Sequence, residues 1–510
     1  MNRRDFLTVG LSSAALGAPA LTGLASAFGA EAGAPAAEIP NSPGNTKLNI
    51  KPVMTSILHT ATWEGPCRWK GVSVADERRS AEQGFARWSK ELRDGPLGQS
   101  NEVKLLEPAH VTFSEKFVLT PAELRKLGPD GPTADVLYLL PAGSSLSAFE
   151  VGKHLGKPIL LNGLGCRNVD IAAYTRAMGG EALVAKDDED FRQLVRLLLA
   201  RKVFRQTTVL FPTDRGLPAA CSVGSVWDLD GLRKRLGVNV KVISYRKLAD
   251  EMERVLASPP AAEEARQAAT ELLGKADRSF IEARHVVRGM QFHRALKNLM
   301  ARHGCNAFTI ECFEFCASRL PERWTITPCL IHALMRNQQC ASSCEADLGS
   351  LLAMRMLMSV AARSCHQGNS DPVGPDTFRI NHSSTSMKMN GFDQPDLPYQ
   401  LGRFVSQGWG AKVVINFLNN PEKTVTVARV NPLATKLLVL RGQLVGASGW
   451  GQDLIGCSVE AVIKPPEGRC NDFLTRRLEY GNHLQWVYGD HVEPMRRLGE
   501  MLDLTVEVIS

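Results

Sequence analysis

At 510 residues, with 44% hydrophobic and 22% charged content, the chain has the composition of a soluble globular protein long enough for two to four domains. Its net charge of +7, from 60 basic against 53 acidic residues, is spread too thinly to argue for nucleic acid. No run of Lys and Arg with interleaved aromatics occurs, so no nucleic-acid partner is expected.

The chain opens MNRRDFLTVGLSSAALGAPALTGLASAFGA: a twin arginine (Arg3, Arg4), then Phe6 and Leu7, a weakly apolar stretch, and an A-x-A site at Ala25 and Ala27. This pattern is that of a twin-arginine export signal over 1–27 and implies the export machinery as a partner, a mature chain starting near Phe28, and a periplasmic or secreted location. A polar Ala/Gly/Pro linker follows over 28–47. No later stretch reaches the 18 or more apolar residues of a spanning helix, and the most apolar run, LGSLLAMRMLM, is interrupted by Arg355.

From NIKPVMTSIL onward, short apolar runs alternate with helical patterns. The strands expected are ADVLYLLP, KPILLNG, ALVAK, QTTVLFPT and NVKVISY; the helices are DERRSAEQGFARWSKELRD, SAFEVGKHLG, DIAAYTRAMG, DEDFRQLVRLLLARKV and LDGLRKRLG. That alternation predicts βαβ units and parallel, Rossmann-like sheets, divided as α/β domains over 48–170 and 171–300. The LPAGSS loop follows a strand and so lies at the carboxyl edge of a sheet, where such folds bind ligands, but it lacks G-x-G-x-x-G and supports no dinucleotide site. SPPAAEEARQAATELLGKADRSFIEARHVVRGMQFHRALKNLMARHG reads as a long helical hairpin or connector. Beyond residue 400, AKVVINFL, KTVTVARV, KLLVLRGQLVG and SVEAVIK predict that the α+β domain over 301–510 ends in an antiparallel β-barrel-like subdomain.

Seven of the twelve cysteines lie between Cys305 and Cys365. The C-x3-C spacings Cys312/Cys316 and Cys340/Cys344 differ from the C-x2-C of zinc ribbons, so these thiols read as small packing residues, with room for one or two disulfides.

The stretch CEADLGSLLAM places two carboxylates, Glu345 and Asp347, before an apolar helix. Both are compatible with capping, since a negative charge is favourable at a helix N-terminus. By residue type alone, Glu345 is a solvated cap partner and His483 a packed or surface histidine. Asp371, in a Gly/Pro loop, shapes a turn, and Glu311 and Glu314 read either as facing a cleft or as solvated residues of a strand.

FTIECFEF, TPCLIHALM, CEADLGSLLAM, INHSSTSMKMNGF, VTVARVNPLATKLLVLRGQLVG and GNHLQWVYGDHVEPMRRLGEMLDLTVEVI, in this order over about residues 300–510, resemble the C-terminal domain of the L-fucose/L-arabinose isomerase family. The resemblance implies a divalent metal, manganese or magnesium, held by Glu345, Asp371 and His483, with His382 and Glu311 toward the substrate. It implies Glu345 as ligand and Asp347 as cap, and Glu345 with Asp371 as the acid–base pair of an aldose–ketose isomerisation through an enediol. A small sugar is then the substrate and a homo-oligomer the expected assembly. An exported sugar- or glycan-binding protein without turnover, and an epimerase or lyase on the same metal site, stand as alternatives.

Overall fold

A computed structural model describes residues 38–40, 42–63 and 71–510. The expected export signal and most of the expected linker lie outside these residues. The architecture is mixed α/β: two parallel sheets flanked by helices, followed by a closed antiparallel barrel.

The first sheet runs Val103–Leu105, Leu48–Ile57, Val136–Ala142, Ile159–Asn162, Ala182–Ala185, with Ala109–Phe113 paired to the second half of Leu48–Ile57. All its pairings are parallel. The intervening helices start where the side chains dictate. Ser73 caps Val74–Asp94 by accepting from the Asp76 N–H, and Asp187 caps Asp188–Arg205 by accepting from the Asp190 N–H. The second sheet, also parallel, has the order Ala341–Cys344, Ala307–Ile310, Thr208–Pro212, Asn239–Ile243. Both sheets cross the boundaries expected from sequence. Ala182–Ala185 completes the first sheet beyond residue 170, and Ala307–Ile310 and Ala341–Cys344 join Thr208–Pro212 across residue 300.

The expected helical hairpin is present as Pro259–Lys275 packed on Ala283–His303. The barrel consists of Thr424–Val430, His483–Tyr488, His366–Pro372, Phe378–His382, Val459–Lys464 and Lys436–Ser448, closed by pairing of the last with the first. Closure leaves these strands no free edge. Thr505–Ile509 adds outside the ring, parallel to the start of Lys436–Ser448.

The helix Leu348–Ala361 joins the two halves. It leaves the carboxyl edge of the second parallel sheet and packs against barrel strands Thr424–Val430 and His483–Tyr488. Its surface is buried almost all round, which explains the continuous apolar run. Arg355 is tolerated inside it because its guanidinium donates to the carbonyls of Gln339 (3.0 Å) and Asn306 (2.7 Å). No helix among the described residues is long and apolar enough to cross a membrane.

Two local expectations are corrected. FTIECFEF is not an extended strand with alternating glutamates: the strand ends at Ile310 and a helix occupies Cys312–Ala317. Asp371 stands in the strand His366–Pro372 rather than in a loop.

Candidate metal centre

Strand register builds the site. Ile310 and Cys344 are opposed in the parallel pair, so the residues that follow them, Glu311 and Glu345, emerge side by side at the carboxyl edge of the second sheet. The chain then turns sharply. Glu345 and Ala346 take φ of 59° and 51°, left-handed backbone that is costly for side-chain-bearing residues and concentrates at functional sites. The Ala346 N–H donates to the Ile310 carbonyl at 3.0 Å and locks this turn to the neighbouring strand. Asp347 follows as the N-cap of Leu348–Ala361, accepting from the Ser350 N–H at 2.9 Å.

Glu345 is 8% exposed and faces the end of the barrel. His382, the last residue of Phe378–His382, brings Nε2 to 3.4 Å from Glu345 Oε1; His483, the first of His483–Tyr488, brings Nε2 to 3.4 Å from Oε2. One ligand atom from each of the three lies within 4.8 Å of the others. Ser222, in the loop after Thr208–Pro212, donates its hydroxyl to Glu345 Oε2 at 3.3 Å.

The supporting contacts specify the histidine nitrogens. Asp347 Oδ2 lies 2.9 Å from His483 Nδ1; a carboxylate only accepts, so this nitrogen carries a proton and Nε2 is the nitrogen turned toward Glu345. Arg429, fully buried, donates to Asp347 Oδ1 at 2.7 Å and to the carbonyls of Tyr480 and Gly224, each at 2.9 Å. Neither His382 Nε2 nor His483 Nε2 has a hydrogen-bond partner, although both are buried. Two buried imidazole nitrogens converging on a carboxylate form a group that could hold a metal ion.

The electrostatics favour charge compensation between carboxylate and imidazole, so a cation at His382 Nε2 would displace a proton. Burial pushes the Glu345 carboxyl up, but His382 and His483 outweigh it and hold it below the ordinary range. Burial likewise lowers His382, yet Cys457, whose sulfur is 3.8 Å from Nδ1, and Glu345 overcome it and raise the imidazole to about 10. Asp347 is pushed up by burial and held low by Arg429 and His483.

Of the five residues singled out by sequence, Glu345, His382 and His483 are brought together. Glu311 lies beside them, buried, but its carboxylate caps Cys312–Ala317 by accepting from the N–H groups of Phe313 (3.3 Å) and Glu314 (2.6 Å). Burial raises its pKa against these donors, and the Glu345 charge adds to the rise. Asp371 is not brought to the cluster: its side chain is half exposed and paired with Arg379 at 3.2 Å. The reason is register, since Arg379 stands directly opposite Asp371 in the antiparallel ladder.

Asp347 as the carrier of His483, Arg429 and Ser222 were not identified from sequence. The one available signal was Arg429 itself, a charge inside the apolar strand VTVARV, which must find a buried anion. Cys312 and Cys344, read as packing residues, stand with Glu345 in a second group of potential ligands. All eleven cysteines among the described residues are free thiols.

No protein-family model and no curated protein matches this chain.

Proposed function

We propose that this protein is a metal-dependent aldose–ketose isomerase-like enzyme acting on a small sugar. The observation that carries the reading is the pair of orphaned Nε2 atoms of His382 and His483 directed at the Glu345 carboxylate. The order of motifs over residues 300–510, similar to the fucose/arabinose isomerase C-terminal domain, supplies the substrate class. Export, a homo-oligomeric assembly and membership of that family belong to the same proposal.

A divalent ion such as manganese or magnesium, held by Glu345, His382 and His483, would supply polarisation of a carbonyl and its neighbouring hydroxyl. The chain's own residues do the rest. Asp347 and Arg429 fix the His483 ring so that Nε2 points into the site. Ser222 adds a hydroxyl that holds Glu345 and is of the kind that orients sugar hydroxyls. With Asp371 displaced, Glu311 is the second carboxyl at the sheet edge. Burial and the neighbouring Glu345 charge raise its pKa, the direction that suits a carboxyl returning a proton to an adjacent carbon.

One observation favours a second reading, a sugar-binding protein on the same fold without turnover. The Glu311 oxygens are engaged in helix capping, which leaves Glu345 as the single carboxylate in the three-residue group.

The test is elemental analysis of the purified protein followed by deuterium exchange across a panel of aldoses and ketoses. We expect about one divalent ion per chain, incorporation of deuterium at the carbon next to the carbonyl, and loss of both in Glu345→Gln with the unfolding transition retained. Full metal occupancy in Glu345→Gln overturns the site. Native occupancy without exchange on any sugar transfers the case to the binding protein.

A further inference from the structure

We propose that Cys312 and Cys344, together with the Glu345 carboxylate, form a second metal subsite that takes a thiophilic divalent ion of the zinc or cadmium type. The two sulfurs and a carboxylate oxygen lie within 4.8 Å of one another. Sulfurs each about 2.3 Å from a zinc ion are at most about 4.6 Å apart, so a side-chain adjustment closes the group on one ion.

The arrangement is a product of the fold. Cys344 is the last residue of Ala341–Cys344, opposite Ile310, and Cys312 opens the helix that begins two residues after Ile310. Parallel pairing therefore sets the two thiols together at the sheet edge that also presents Glu345. Cys344 is buried and Cys312 is partly open, which gives an incoming ion a route. Three protein ligands with one open side are the pattern of a zinc site that keeps a position for water or substrate.

The ligand chemistry separates the two subsites. Thiolates favour zinc-like ions, whereas a carboxylate with two imidazoles accepts harder ones. Glu345 belongs to both groups, and a carboxylate has about four lone-pair positions, so it is able to bridge two ions. Uptake is an exchange: each thiol bound as thiolate releases one proton to solvent, so one ion entering through both sulfurs liberates two. No oxidant is needed. This inference shares Glu345 with the proposed function and does not depend on the isomerase chemistry.

The experiment uses the full chain, reduced and stripped with chelator, titrated with cadmium and separately with manganese. The readouts are equivalents bound and the ultraviolet charge-transfer absorption of cadmium thiolate. We expect the wild type to develop that absorption with about one equivalent of cadmium. Cys312→Ser, at the more open position, should lower cadmium affinity at least tenfold and remove the band while manganese binding is unchanged. His382→Ala should weaken manganese and keep the band. Because Cys344 is buried, Cys344→Ser is interpreted only beside its circular dichroism spectrum, and Cys312→Ser carries the decision. Absence of the band in the wild type, or its persistence in Cys312→Ser, overturns the proposal. A cadmium band without manganese binding upholds this subsite while removing the hard-ion site on which the proposed function rests.

Discussion

Both oxygens of Asp347 are occupied: Oδ1 accepts from the Ser350 N–H and Arg429, and Oδ2 from His483. A residue that satisfies a helix start by its position thus also neutralises a buried guanidinium and sets a histidine tautomer. Asp347→Asn replaces one acceptor oxygen by a donor that cannot face either Arg429 or the His483 N–H. Removing one charge of a buried pair costs about 3–5 kcal/mol, and losing the partner of a metal-binding histidine weakens metal affinity about 10–100-fold. We expect both effects, read by urea unfolding and by manganese titration; manganese affinity within twofold of wild type would show that His483 needs no such orientation. The pH dependence has a definite sign. The carboxyl is held below its ordinary value, so its contribution is complete above the usual carboxylate range and is lost as pH falls through the lowered native value.

At the scale of elements, the site depends on how closely three barrel strands approach. In His366–Pro372, Gly368 stands opposite Leu484, next to His483, and packs on Asn381, next to His382. A Cβ there would lie 2.8 Å from the backbone N and C of Asn381, with no flexible side chain to yield. Gly368→Ala should therefore spread the strands, cost about 1–3 kcal/mol and weaken manganese binding, although residue 368 offers no ligand. Gly274, in Pro259–Lys275, has open space around its Cβ position, so Gly274→Ala is the control and should leave metal binding unchanged while slightly stabilising the helix. Equal behaviour of the two variants would mean that strand approach does not shape the site.

Across the whole molecule, the junction between the second parallel sheet and the barrel buries titratable groups that folding must keep neutral. His332 is fully buried in the helix Cys329–Asn337. Its Nδ1 is 2.7 Å from the Ser342 hydroxyl, and its Nε2 has no hydrogen-bond partner. Burial first, then the nearby Arg336 and His382 charges, push its pKa well below the ordinary value. The unfolded chain takes up a proton near pH 6.5 that the native state refuses, so stability is constant above that pH and falls below it. One such group contributes a slope of up to about 1.4 kcal/mol per pH unit. His332→Leu should reduce the acid-side slope of unfolding free energy by up to one proton between pH 6 and 5. An unchanged slope would place the acid sensitivity elsewhere, with the equally buried His366 as the next candidate.

Local pattern was enough for most of the elements. Hydrophobic period missed His366–Pro372 and Phe378–His382, and Ala411–Ile415 pairs outside the barrel. It located Leu48–Ile57, Val74–Asp94, Asp188–Arg205 and the barrel strands Thr424–Val430, Lys436–Ser448 and Val459–Lys464, because that signal acts within one turn or one strand. Asp347 as a cap was legible for the same reason: its acceptor and the Ser350 N–H are three residues apart. What the chain order could not reveal was which elements become neighbours. Sheet pairing across residues 170 and 300, the closure of the barrel, and the capture of Asp371 by Arg379 all depend on contacts between distant segments. Glu311 looked like one face of a strand because alternation is the same whether or not the strand continues, and only the turn after Ile310 made it a cap. Glu345, His382 and His483 were legible as residue types. Their convergence, with both Nε2 atoms 3.4 Å from the Glu345 carboxylate, arises from the register of a parallel sheet meeting the end of a barrel, since register over long separations is set by packing rather than by local propensity.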